Sequence, residues 1–226
     1  MVYYLSAGST GVEGIDSATW DILDVPDDEL NRRIEYAEPD EVHPSALQDN
    51  ALRKEQGYWV KPETLPKKVL WAKGTTPTLP DVLFGFAVSS RFKDLVEDFE
   101  PGVHQFVPVE IYHSRAGEPV ATYYWFIVGQ RLDSVDREHT TFVWKKSKYG
   151  DDDGFWSDQT LDKKTFQFTT IKDAELVFSK TQVDGHHIWH DPHVLSFNNG
   201  LCSDAFAEAL IASGLTGVAA TPRESV

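Results

Sequence analysis

The chain has 226 residues, 41% hydrophobic and 12% aromatic with seven Trp, which is too apolar for a disordered chain and long enough to bury a sizeable core in one large domain or two small ones. Its 36 Asp and Glu against 21 Lys and Arg give a formal net charge of −15. That field repels phosphate backbones and anionic lipid and steers a basic protein, so neither nucleic acid nor a membrane is expected as partner; the same excess also serves plain solubility.

Cys202 is the single cysteine, so no disulfide or thiolate cluster can form within one chain, which fits a reducing compartment. Residues 1–6 lack a basic stretch followed by an apolar one, and no apolar run is long enough to span a bilayer. A cytoplasmic protein is expected.

From the N-terminus, the first 75 or so residues carry scattered proline and weak periodicity. They also hold ten acidic residues between Asp16 and Glu41, among them Asp24, Asp27, Asp28 and Glu29, against only Arg32 and Arg33. Trp20–Asp24 alternates like a short strand, and 27–38 has the makings of a short helix behind Pro26. Residues 1–75 therefore read as an acidic region, a subdomain or a segment packed on the core, and 76–226 as the main domain.

Beyond Asp81 the pattern sharpens. An apolar run ends at Ser89 and Ser90, whose hydroxyls suit a helix N-cap, and Phe92, Leu95, Val96 and Phe99 then recur at helical spacing until Pro101 and Gly102 stop the pattern. His104–His113 and Val120–Val128 form a strand pair across the turn at Arg115–Gly117, with Pro108 arguing for an edge or a bulge. Shorter strands are expected at 140–144, 165–170, 176–178, 187–189 and 194–197. A second capped helix follows, Ser203 then Asp204–Ala212, closed by Gly214, and 221–226 reads as a frayed tail. Strands outnumbering two or three capped amphipathic helices, with no βαβ alternation, define an α+β fold of mostly antiparallel sheet.

Two clusters invite chemistry. His186, His187, His190, Asp191 and His193 include half of the eight histidines and could serve a zinc-type site, hence a metal-dependent hydrolase. On a strand, however, alternate side chains face opposite ways and Pro192 interrupts the segment, so the rings are not expected to converge. Asp151, Asp152 and Asp153 precede Gly154 but lack the ligand spacing of a calcium loop, and read as a solvated loop tip, with a Mg²⁺ site or a contact for a basic partner as the alternatives. Cys202, beside a helix cap, reads as a small buried hydrophobe and not as a nucleophile. Nucleophile-elbow and phosphate-loop motifs are absent.

Five blocks, Pro80–Phe84, Val88–Glu97, Pro101–Glu110, Gly185–Trp189, and Cys202–Leu210 with Gly214–Val218, occur in an order that resembles an immunity-protein family of bacterial polymorphic toxin systems, over about residues 80–221. The resemblance implies an α+β cytoplasmic protein that binds and neutralises a cognate toxin, with no catalytic residue to transfer; no metal or cofactor is expected. It leaves Ser89, Ser90 and Ser203 as caps, Gly102, Gly214 and Gly217 as turn formers, and Phe106 and Trp189 as core. The histidine-rich segment and the acidic insert at Asp151 depart from the pattern, and partner-specific contacts are expected there. The expected contacts are thus Asp24, Asp27, Asp28, Glu29 and Asp151–Asp153, facing a basic toxin cleft. A hydrolase using the His186–His193 cluster and an acidic scaffolding module are the alternatives.

Overall fold

Two serines set where the helices begin. The Ser89 hydroxyl accepts from the Phe92 N–H at 3.3 Å and opens α1 (Ser90–Phe99); the Ser203 hydroxyl accepts from the Phe206 N–H at 3.2 Å and opens α2 (Asp204–Ser213). Each satisfies one of the orphan donors of a first turn. α2 ends at Gly214, whose φ of +64° is the left-handed conformation of a helix C-cap. The computed structural model describes residues 1–7, 19–26, 34–35, 59–72, 79–83, 87–146, 154–162, 167–194 and 200–226. The expected helix at 27–38 lies outside them except for Ile34 and Glu35, which are not helical.

The described strands are β1 (Val2–Ala7), β2 (Thr19–Ile22), β3 (Lys68–Ala72), β4 (Ala87–Val88), β5 (Gln105–Tyr112), β6 (Ala121–Ile127), β7 (Val143–Lys146), β8 (Gly154–Ser157), β9 (Gln159–Asp162), β10 (Gln167–Thr170), β11 (Ile188–Trp189), β12 (Leu201–Ser203) and β13 (Val218–Arg223). They make a five-stranded sheet in the order β2-β3-β5-β6-β4, a four-stranded sheet β11-β12-β1-β13, and the two hairpins β7-β8 and β9-β10. Among the described residues every strand pair is antiparallel except β3 with β5, and the chain between those two contains α1, as a parallel pair's crossover requires. The fold is the α+β arrangement of mostly antiparallel sheet expected from the pattern.

Pro108 lies inside β5 without breaking it. Glu110 N–H reaches Lys67 O at 2.8 Å, so even-numbered β5 residues direct their backbone groups toward β3, yet β3 begins only opposite Glu110. The N–H that proline lacks would point past the end of β3, where no ladder bond is lost. The bulge is unnecessary, and the position is a local edge.

The longer strands divide their side chains between layers. From β5 and β6, Val107, Val109, Ile111, Tyr123, Trp125 and Ile127 enter one core with Val69 and Trp71, while Phe126 faces the other way against Phe92, Val96, Phe206 and Leu210 of the helices. In β1, Leu5 joins that helical core and Val2 joins a third with Trp189, Leu201 and Phe178. This is the period of two expected of strands covered on both faces. Burying Phe206 and Leu210 contributes about 1.5–3 kcal/mol each, which holds α2 in place.

Strands from both sides of residue 75 share sheets: β1 lies between β12 and β13, and β3 lies beside β5. The C-terminal residues are not a frayed tail. β13 pairs with β1 as far as Arg223, and Val226 N–H reaches Phe178 O at 3.0 Å, so backbone ladders tie down a stretch whose sequence carries no apolar pattern.

Candidate interaction surface

The histidine-rich segment is turned into structure. His187 N–H donates to Glu100 Oε1 at 2.7 Å, and its Nδ1 lies 3.0 Å from Ser203 Oγ, which is already accepting from Phe206 and has its own proton to give. His190 is buried, its backbone bonded to Gln130 O and to the Leu132 N–H. Asp191 is buried too, accepting the Ser134 N–H and O–H at 2.7 and 2.8 Å and the His193 N–H at 2.8 Å. Burial raises the Asp191 pKa against those donors, which favour the ionised form. His193 Nδ1 sits 2.9 Å from Gly154 O and its ring lies edge-on to Trp144. The His187 and His193 rings go to separate partners, and among the described residues no three His, Cys, Asp or Glu side chains group as metal ligands. His187 and His193 are half-buried, each with Nδ1 bonded within the fold, and His190 is buried. Cys202 is fully buried, with its thiol pKa pushed up by that burial.

Glu100 is the residue that sequence reading missed. It closes α1, is buried, and accepts from the His187 and Ile188 N–H groups at 2.7 and 3.0 Å and from His104 Nε2 at 2.7 Å. Gly129 N–H donates to His104 Nδ1 at 3.2 Å, so the proton of the neutral ring is on Nε2, aimed at the carboxylate. Burial, the largest influence, pushes the Glu100 pKa up, but the bonds from His104, His187 and Ile188 outweigh it and hold it below the ordinary value. The sequence signal was only an acidic residue four positions before a histidine at a helix end.

A second carboxylate ties the opposite end of the helices. Asp81 is buried and accepts from Ser89 Oγ at 2.8 Å, from the Thr216 N–H at 3.0 Å and from Arg91 at 3.3 Å. Arg91 also donates to Ser213 O at 3.1 Å, joining the start of α1 to the end of α2. At the other end Phe99 meets Phe206, with ring centroids 5.4 Å apart, so the two helices run antiparallel.

Of the expected contact residues, Asp24 is exposed and accepts the Lys67 and Lys68 N–H groups at 2.9 and 3.3 Å, fixing the start of β3. Asp27, Asp28, Glu29 and Asp151–Asp153 lie outside the described residues; the last three fall in the link between the paired strands β7 and β8.

On the helices, charge is sorted by direction. Asp94 and Asp98 of α1 and Asp204 and Glu208 of α2 are exposed, whereas Arg91 is bonded as above and Lys93 lies over the Tyr124 ring, 4.8 Å from its centroid. α2 contains no basic residue. A separate groove of about 850 Å³ opens where β5 outruns β3, between Pro62, Lys67, Val107, Pro108 and Glu110. On its rim the Tyr112 hydroxyl donates to Glu110 at 2.6 Å, and that bond, with burial, pushes the Tyr112 pKa up to about 12.

Glu100, Asp191 and Cys202 are thus buried in the fold, while the helices present exposed carboxylates. The chain belongs to the Imm11 immunity protein family, whose model matches residues 29–223. That match starts about 50 residues before the blocks that carry the resemblance, so most of the acidic region is part of the family domain. Comparison with curated proteins finds no match. Membership gives the chain an immunity function and implies a cognate toxin as partner.

Proposed function

We propose that this protein neutralises its toxin by stoichiometric occupation, in the cytoplasm, with an acidic surface set against a basic face of the toxin and no bond-making of its own. The family match over residues 29–223 carries the reading. The net charge of −15 and the outward carboxylates of the helices support the electrostatic part, because opposite fields accelerate encounter. Asp27, Asp28, Glu29 and Asp151–Asp153 are proposed contacts. Asp24 is as well, but its carboxylate also anchors β3, so reversing its charge mixes folding with binding.

The test is stopped-flow association with the cognate toxin domain, at increasing salt. Association slows at least tenfold between 50 and 500 mM salt while dissociation changes little, as expected for screening over roughly 10 Å at 0.1 M. A salt-independent association rate removes the electrostatic part of the proposal. Failure of stoichiometric protein to block the toxin removes the whole.

A further inference from the structure

β5 outruns its neighbour. β3 pairs with it only at Glu110, Ile111 and Tyr112, so among the described residues no strand lies on that side of 105–109. The opposite side is fully used, since β6 pairs with β5 from Gln105 to Ile111 in unbroken register. Backbone groups of alternate residues in a strand point the same way, and Glu110 N–H reaches Lys67 O on the β3 side. Phe106 N–H, Phe106 O and Pro108 O therefore point into the space where the row of β3 would continue. That space is the groove of about 850 Å³, lined by Pro62, Glu63, Lys67, Val107, Pro108 and Val109 among others.

The walls of the groove are held in place. The Gln105 side-chain amide binds Val60 N–H at 3.0 Å and Val60 O at 2.7 Å, and Trp125 Nε1 donates to Pro66 O at 2.7 Å, which ties down both ends of the segment that carries Pro62 and Glu63. Pro62–Thr64 is a 3-10 turn, so it lines the groove without offering β5 a ladder. Phe106 stacks on Phe126 with ring centroids 5.1 Å apart, and Phe126 meets Phe92 of α1 at 5.5 Å, so α1 seats the strand. An edge fixed in advance loses little conformational freedom on binding.

We propose that an extended segment of the toxin enters this groove, continues the row of β3 and pairs with β5 at Phe106 and Pro108. From Phe106 to Glu110 is roughly 13 Å, room for about four extended residues. Outward backbone groups on a strand edge are matched by another extended backbone, and the apolar side chains of Val107, Pro108 and Val109 give its side chains a floor. A second copy of this chain carries the same edge inside the same concavity, so two such edges do not reach the strand spacing of roughly 4.8 Å, whereas a protruding segment does. Continuity assigns the segment to the toxin: Asp24, a proposed toxin contact, accepts the Lys67 and Lys68 N–H groups where both lysines line the groove. Glu63 and Glu110 balance Lys67 and Lys68 in the lining, so main-chain bonds and apolar contact hold the segment, and the field of the whole chain only steers it. Pro108, lacking an N–H, blunts the edge against indiscriminate pairing, which leaves the fit of the segment's side chains to decide what binds. The proposal rests on the inhibitory reading above and locates its surface.

The experiment is amide hydrogen exchange, read residue by residue by NMR, on the full chain free and bound to the cognate toxin domain. Phe106 N–H exchanges quickly in the free chain, whereas Val107 N–H, turned toward β6, is slow already and serves as the reference. Bound toxin slows Phe106 by roughly 30-fold or more and leaves Val107 little changed. Thr122→Trp, at an exposed β6 position that lines the groove, keeps the wild-type circular dichroism and weakens binding by about 30-fold or more, mainly through faster dissociation. Thr221→Trp, the same change at an exposed position of β13, binds as wild type. Phe106 exchange that bound toxin leaves unchanged, or that is already slow in the free chain, overturns the strand-addition site and leaves the inhibitory reading intact. Folded Thr122→Trp that binds within about threefold of wild type overturns it too. Absence of toxin binding by the wild type removes both proposals together.

Discussion

Glu100 offers the sharpest test of how the fold is held. Its carboxylate is buried and accepts three hydrogen bonds, two from the backbone of the β11 segment and one from His104. Hydrogen bonds to a charged group contribute about 1.5–3 kcal/mol each, and a buried donor left without its acceptor costs about 1–3 kcal/mol. Glu100→Gln keeps the shape, but its amide nitrogen can only donate, and Oε2 faces two donors: Ile188 N–H and His104 Nε2–H. Moving the His104 proton to Nδ1 gives no relief, since Gly129 N–H then loses its acceptor. We therefore expect Glu100→Gln to cost about 2–4 kcal/mol, and Glu100→Ala about 3–5 kcal/mol as for other broken buried pairs. In a chain of this size that lowers the melting temperature by about 5–15 °C.

Urea unfolding followed by Trp fluorescence measures it, with the loss read from the midpoint at unchanged slope. The pH dependence adds an independent check. The folded pKa of Glu100 lies below its unfolded value, so the stabilisation is fully present above the ordinary carboxylate range and is lost as pH falls through the folded pKa. As pH falls below the ordinary carboxylate range the wild type thus loses stability more steeply than Glu100→Gln. A Glu100→Gln protein within 0.5 kcal/mol of wild type, with the same acid limb, refutes the claim that this carboxylate joins α1 to β11.

Two glycines with left-handed backbone separate conformation from space. Gly214→Ala meets nothing within 4 Å and carries only the backbone penalty at φ +64°, about 1 kcal/mol by thermal denaturation, whereas Gly217→Ala at φ +79° also drives a Cβ to 2.3 Å from Val82 O and loses at least twice as much. Ser203→Ala removes the α2 cap and the partner of His187 together, and loses more than the roughly 1 kcal/mol of an isolated cap in the same assay.

Features with local causes were legible in the sequence. Ser89 and Ser203 cap helices because a hydroxyl before an apolar period can do little else, and α1 and α2 begin within one residue of where the pattern places them. The β5–β6 pairing follows from two long β-rich runs around a turn. What stayed hidden has partners far away in the chain. β1 has no strong signal of its own and becomes a central strand only because β12 and β13 flank it 200 residues later. Glu100 and Asp81 look like ordinary surface carboxylates until their donors arrive from His187 and Thr216.

These hidden pairs bear on function as well as stability. An inhibitor that works by occupation needs a surface held still and a set of groups that do nothing else, and the inward polar groups supply the first condition. Glu100 and His187 set the end of α1 against the cap of α2, and Asp81 and Arg91 set the opposite ends. Loosening either tie should then weaken toxin binding without touching a contact residue. Arg91→Lys, which keeps the charge but cannot hold Asp81 and Ser213 O together as the two guanidinium nitrogens do, is expected to slow association and leave the salt slope unchanged, because it changes how often the face is correctly arranged and not the field that attracts the partner. A changed salt slope at constant structure would instead make Arg91 part of the electrostatic surface.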